Sequence, residues 1–239
     1  MFQKLVIIGG SSAFWEITEI INDINSIHKK YEVVGIYDDN ESLWGKVYNG
    51  ISVDGPISKV KNLESSIKFI FAIGSFKTRL IREQILAKLN LPITRFETLI
   101  HPTVKIFSTA SVSPYGCIIH YGTVIFNHTI VEPFCVIAAN CVIAVGNFIG
   151  TGALFGSSIT TTSGVKIGSF SFIGSGSCIG ENIEIEPGAY IGMGSLVLKN
   201  IGAGHFVLGN PLRVLDKTEV PAQIITEWNI NKHKKIYND

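Results

Sequence analysis

The sequence predicts two domains of different architecture: an α/β, Rossmann-like domain over residues 1–100 and a parallel β-helix over residues 101–215. Three observations predict this. Apolar runs alternate with helical periodicity in the first hundred residues. An aliphatic or aromatic residue then returns every sixth position from Ile119 to Val197, and charge nearly vanishes over that second stretch. Alternating strands and helices are the pattern of βαβ units. A period of six fits neither the 3.6 of a helix nor the 2 of a strand.

In chain order, residues 4–8 (Lys-Leu-Val-Ile-Ile) read as a buried strand and Gly9-Gly10-Ser11-Ser12 as the turn after it. Ile17, Ile20, Ile21 and Ile24 then mark one face of a helix. A second strand over 32–37 ends in Asp38-Asp39. A third over 69–73 closes on Gly74-Ser75, and 78–89 is helical, with Ile81, Ile85 and Leu89 spaced four apart.

From Ile119 the repeat runs in steps of six through Ile125, Val131 and Ile137 to Val197, with Thr161 its one polar member. The next residue is often small, as at Ala138, Ala144, Gly150, Gly156, Gly168, Gly174, Gly180 and Gly192. Three hexads, roughly 18 residues, close a triangular coil with the recurrent residue inside, and each coil buries its apolar row only by stacking on its neighbours. Small residues ease the corners. Between His101 and Leu198 the charged residues are Lys105, Lys166, Glu132, Glu181, Glu184 and Glu186. An outer surface so poor in charge is expected to pack on other subunits.

Bulk properties exclude several classes. The net charge of +1 gives no basic footprint for nucleic acid. Mean hydropathy is positive, at +0.33, yet no apolar run approaches the roughly 18 residues of a spanning helix, so the excess is expected in protein interior. The first residues lack the apolar length and cleavage site of a secretory signal, which points to the cytoplasm. Cys117, Cys135, Cys141 and Cys178 show no CxxC spacing and read as buried free thiols, with no metal site. Residues 216–239, with Ile224, Ile225 and Trp228 near helical spacing, are expected to form a helical cap or tail.

The segments Val6-Ile-Ile-Gly-Gly-Ser, Ile36-Tyr-Asp-Asp, Phe71-Ala-Ile-Gly-Ser, Leu99-Ile-His-Pro, the hexapeptides and Gly209-Asn-Pro-Leu-Arg together resemble one bacterial family. It comprises the left-handed β-helix sugar acyltransferases, including sialic acid O-acetyltransferases and the UDP-4-amino-sugar N-acetyltransferase of bacillosamine synthesis. The resemblance spans residues 4 to about 215. It implies a homotrimer, acetyl-CoA or another acyl-CoA in a groove between β-helices, and a UDP- or other nucleotide-linked amino sugar held by the N-terminal domain, with no metal. It also implies acyl transfer for surface glycan biosynthesis.

Taken residue by residue, the resemblance places the nucleotide-sugar on Gly9, Gly10, Ser11, Ser12, Asp38, Asp39, Gly74 and Ser75. A glycine turn at a helix N-terminus offers N–H groups to a phosphate, although Ser12 and Phe14 depart from G-x-G-x-x-G and argue against a dinucleotide. Read without the resemblance, Gly9 to Ser12 and Asp38-Asp39-Asn40 are equally good turn chemistry. Gly156, Gly174 and Gly192, 18 apart, should stack along one edge, where the resemblance lays the pantetheine arm.

The family's catalytic His and following acid fall on Val145 and Gly146, which cannot move a proton. Three accounts stay open. His128, 18 residues before Gly146, is a relocated base with Glu132 nearby in sequence, and His120 is a second candidate. Alternatively, a neutral amine attacks the thioester by positioning alone, which favours N- over O-transfer. The third account is a catalytically inactive nucleotide-sugar-binding or scaffold relative. An altered acyl donor is also compatible with Val145. His101 and His205 read as structural.

Overall fold

The computed structural model describes residues 2–10, 13–74, 79–216 and 219. The first domain is built from β1 (Gln3–Ile8), α1 (Ala13–Ile27), β2 (Tyr31–Tyr37), a small hairpin of β3 (Val47–Tyr48) and β4 (Ile51–Ser52), β5 (Lys68–Phe71) and α2 (Arg79–Leu89). Its parallel sheet runs in the order β2-β1-β5, with Ile8 level with Tyr37 on one side and Phe71 on the other. Strand alternation splits the core in two. Leu5, Ile7, Ile36 and Ile70 meet Phe14, Ile17, Ile20 and Ile21 of α1. Val6, Ile8, Phe69 and Phe71 face Val60, Leu89 and Phe96. Each such fully buried side chain contributes about 1.5–3 kcal/mol.

The second domain is a three-faced solenoid of two-residue strands. The first face carries strands such as Ile118–Ile119, Val136–Ile137 and Leu154–Phe155. The second carries Val124–Ile125 and Val142–Ile143, and the third Ile130–Val131 and Phe148–Ile149. Every position of the predicted inner row from Ile119 to Val197 is buried, including Thr161, whose hydroxyl accepts from the Ala144 N–H at 3.3 Å.

The solenoid begins one coil earlier than the hexad series shows. Ile100, Ile106 and Val112 pair with Ile119, Ile125 and Val131, a step of 19 residues. One extra residue between Val112 and Ile119 shifts the phase and hides that coil from a strict six-residue count. Later steps are 18 until the last, where Ile191 pairs with Val207 and an antiparallel strand, Arg213–Val214, ends the sheet.

The small residues after the inner row do not make the turns, contrary to expectation. The left-handed corner residues lie two positions further on, at His128, Phe134, Asn140, Gly146 and Gly152 among others. Their N–H groups reach back a coil, as Gly146 N does to Asn127 O at 3.0 Å. The residue after the inner row is small because the next coil's backbone lies against it: a Cβ on Gly150 would stand 2.8 Å from Ser169 N. Cys117, Cys135 and Cys141 are buried free thiols, whereas Cys178 is exposed because its strand position points outward.

The α/β domain sits on the first face. Leu99, Ile118 and Val136 join the α1 side of its core. The fully buried Arg82 of α2 donates through Nη2 to Phe134 O at 2.7 Å. Burial lowers the Arg82 pKa to about 10. Among the described residues, no helix is long and apolar enough to cross a membrane. The segment expected to form a C-terminal cap lies outside the described residues apart from Asp216 and Glu219.

Candidate functional site

The carboxyl ends of β1, β2 and β5 gather the first set of predicted residues. Gly9 has φ +106° and donates to Tyr37 O at 2.8 Å, and a Cβ there would come within 3.0 Å of the Ile73 side chain. Gly10 N donates to Asp38 Oδ2 at 2.6 Å, while Asp38 Oδ1 accepts from Asn40 N at 2.8 Å. Asp38 therefore clamps the turn after β1 to the end of β2. Asp39 Oδ1 accepts from Ile57 N at 2.9 Å, and the residue borders a cavity of about 370 Å³ with Trp44, Lys61 and Lys88. Both carboxylates thus have backbone partners, and a carboxylate's roughly four lone-pair sites leave capacity for ligand hydroxyls or N–H groups. Gly74 lies three residues beyond β5, where an added Cβ would stand 3.5 Å from Val136 Cγ2 and 3.7 Å from Leu154 Cδ2 of the solenoid. Ser11, Ser12 and Ser75 lie outside the described residues. Gly9, Gly10 and Asp38 meet at the strand ends, in the crevice where open α/β sheets bind ligands, and Gly74 follows β5, the strand paired with β1.

The glycine edge forms at the corner between the first and second faces. Gly156 N donates to Ile173 O and Gly174 N to Ile191 O, both at 2.8 Å, and Gly192 N to Val207 O at 2.7 Å. Added Cβ atoms would stand 2.4, 2.5 and 2.9 Å from the nearest atoms of the next coil. Leu154, whose Cδ2 would stand 3.7 Å from a Cβ built on Gly74, lies two residues before Gly156.

Val145 is 42% exposed beside Gly146, at the corner between the second and third faces. His128 occupies the same corner one coil earlier, with φ +59° and its backbone N–H donating to Thr109 Oγ1 at 3.1 Å. Its ring is exposed. Among the described residues, no hydrogen bond or ion pair joins it to Glu132 or any other carboxylate. Ile130, Val142 and Phe148 add exposed apolar surface around this corner.

The other two histidines of interest share a cavity of about 360 Å³ between α1 and the first-to-second corner. His101 is held at both ring nitrogens, by Asp23 Oδ2 at 2.7 Å and Thr103 Oγ1 at 2.8 Å. His120, 8% exposed, places Nε2 3.9 Å from Glu16 Oε2. Burial pushes the His120 pKa below its ordinary value, with Glu16 opposing and His101 adding to the shift. Glu16 escaped the sequence reading because it lies on α1, far from His120 along the chain, and only the docking of α1 on the corner joins them. His205 lies in the terminal loop, where its carbonyl accepts from Tyr190 N at 2.8 Å.

Residues 4–89 match the family model of the PglD N-terminal domain. The whole architecture superposes on a variant of perosamine N-acetyltransferase from Caulobacter crescentus solved with CoA and GDP-perosamine. The TM-score is 0.77 at 19% identity, covering 90% of this chain and 97% of that one. The chain folds as a left-handed β-helix sugar transferase does. The acetyltransferase domain of PglB from Neisseria gonorrhoeae, solved with acetyl coenzyme A, gives a TM-score of 0.75 at 20% identity over 90% of this chain and 100% of that one. WeeI from Acinetobacter baumannii gives 0.74 at 21% identity over 89% and 100%. No curated protein sequence matches.

Proposed function

We propose that the chain transfers an acetyl or similar acyl group from coenzyme A to an amino group of a nucleotide-linked sugar, in surface glycan biosynthesis in the cytoplasm. The observation that carries this reading is the nearness of the strand-end crevice to the glycine edge: a Cβ built on Gly74, beyond β5, would stand 3.7 Å from Leu154 Cδ2, two residues before Gly156. The crevice suits a nucleotide diphosphate, because the turn ends at the N-terminus of α1, where N–H groups and the helix dipole favour an anion. The edge suits an extended pantetheine arm, because no side chain rises from Gly156, Gly174 or Gly192. Relatives of the same fold are solved with CoA and GDP-perosamine, or with acetyl coenzyme A.

A homotrimer fits the exposed Ile130, Val142, Val145 and Phe148, since contiguous apolar surface of this kind is normally covered in an assembly. Such packing would bring the corner that carries His128, Val145 and Gly146 against a neighbouring subunit. The presence of Val145 and Gly146 favours a second reading, a non-catalytic nucleotide-sugar-binding or scaffold protein.

Calorimetric titration with acetyl-CoA, with and without GDP-perosamine or a UDP-4-amino sugar, separates the two readings. Micromolar binding of acetyl-CoA, with thiol release when the acceptor is added, is the expected result. An intact oligomer that binds no acetyl-CoA overturns the transferase reading.

A further inference from the structure

We propose that His120, paired with Glu16, is the base that removes the acceptor's proton, so that the site lies where α1 docks on the first-to-second corner. The assignment rests on the transferase reading above and locates its chemistry. Three observations carry it. His120 lies in the 360 Å³ cavity lined by Ala138, Ala139 and Ser157, and Ser157 directly follows Gly156 at the head of the glycine edge. Glu16 stands in the first turn of α1, immediately beyond the turn that begins with Gly9 and Gly10. The imidazole therefore sits between the two proposed subsites. Finally, His120 has a carboxylate partner at 3.9 Å, which His128 lacks among the described residues.

The ring is suited to accept a proton. With its hydrogen on Nε2, towards Glu16, the lone pair is on Nδ1, for which no hydrogen-bond partner occurs among the described residues. His101, by contrast, is engaged at both nitrogens and only orients. Burial pushes the His120 pKa below its ordinary value and so favours the neutral form a base needs. In the reaction the sugar amine nitrogen bonds to the thioester carbon, and its N–H proton passes to His120 Nδ1. The C–S bond breaks, and the imidazolium, stabilised by Glu16, returns the proton to the leaving thiolate to give amide and free CoA thiol. The groups facing His120 are Glu16, Glu19 and Asp23 from α1, and His101 and Tyr121 from the solenoid.

The test compares wild type, His120→Asn, Glu16→Gln and His128→Asn in full-length protein. Thiol release from acetyl-CoA is measured with GDP-perosamine and with a UDP-4-amino sugar, alongside melting temperature and acetyl-CoA affinity. His120→Asn should lower kcat by about 10²–10⁴-fold with unchanged acetyl-CoA affinity, and remove the acid limb of the kcat/KM profile below about pH 6.5. Glu16→Gln should shift that limb to lower pH, and His128→Asn should leave it in place. Wild-type turnover with an unaffected His120→Asn, or loss of the limb in His128→Asn instead, overturns the assignment alone. Acetyl-CoA binding without thiol release to either acceptor removes the assignment and leaves a binding protein. Absence of acetyl-CoA binding removes the transferase reading itself.

Discussion

Gly174→Ala tests whether coil stacking, rather than turn formation, fixes the glycines of the first-to-second corner. The new Cβ would stand 2.5 Å from Met193 N and 2.7 Å from Gly192 C, both backbone atoms. Reaching ordinary contact at 3.4 Å requires the next coil to move by about 0.9 Å. That displacement stretches the 2.8 Å bond from Gly174 N to Ile191 O beyond hydrogen-bonding range. A lost backbone bond of about 1 kcal/mol and an overpacking term of about 1–3 kcal/mol give a loss of about 2–4 kcal/mol. For a chain of this length that lowers the melting temperature by roughly 4–16 °C. Gly180→Ala is the milder comparison, since its Cβ would stand 3.1 Å from the movable Leu198 side chain and 3.2 Å from Val197 O, only 0.2–0.3 Å short of ordinary contact at 3.4 Å, and its expected loss is below about 1 kcal/mol. Differential scanning calorimetry of both variants decides the matter. Equal melting temperatures for Gly174→Ala and wild type would refute the close-approach argument.

Asp38→Ala removes the acceptor that holds Gly10 N and Asn40 N; it should destabilise by about 2 kcal/mol and weaken nucleotide-sugar affinity more than about tenfold, as read by urea titration and calorimetry. Phe148→Glu places a charge on the third face, beside the second-to-third corner, where Phe148 is 41% exposed. It should shift the oligomer towards monomer in light scattering, and an unchanged mass argues against an interface there. The pH dependence of stability also has a definite sign. The folded-state pKa of His120 is lowered by burial, so the unfolded chain binds more protons. The contribution is fully present above about pH 6.5 and falls as pH drops through that value towards the folded pKa. His120→Gln should flatten the melting temperature between about pH 7 and pH 5, and an unaltered slope would remove burial as the dominant effect.

Much of the fold is legible because it follows from short-range patterning. The six-residue spacing from Ile119 to Val197 sets both the solenoid and its inside, and it places even Thr161 correctly, since backbone geometry overrides one polar side chain. The first coil escapes because a single extra residue before Ile119 moves the phase. The glycine positions are legible but their cause is not: an inter-coil distance is a property of two chain segments, and composition records only one. Gly9, Gly10 and Asp38 can be picked out as turn residues, yet the hydrogen bond between Gly10 and Asp38 appears only when β1 and β2 pair. The pairing of His120 with Glu16 is the extreme case, because α1 and the corner it meets are separated by most of the first domain.

The 18-residue step that repeats from Ile119 to Val197 makes this part of the solenoid a ruler. Adjacent strands stand about 4.8 Å apart, so Gly156, Gly174 and Gly192 mark rungs spanning about 9.6 Å along the axis. Among the described residues, the α/β domain packs on the early rungs, through Leu99, Ile118 and Val136. Inserting or deleting one full coil beyond Gly174 would lengthen or shorten the glycine track by one rung while leaving the crevice and its docking helix where they are. Under the proposed function, acyl donors of different reach could then be accommodated by counting coils, with the proposed sugar contacts unchanged.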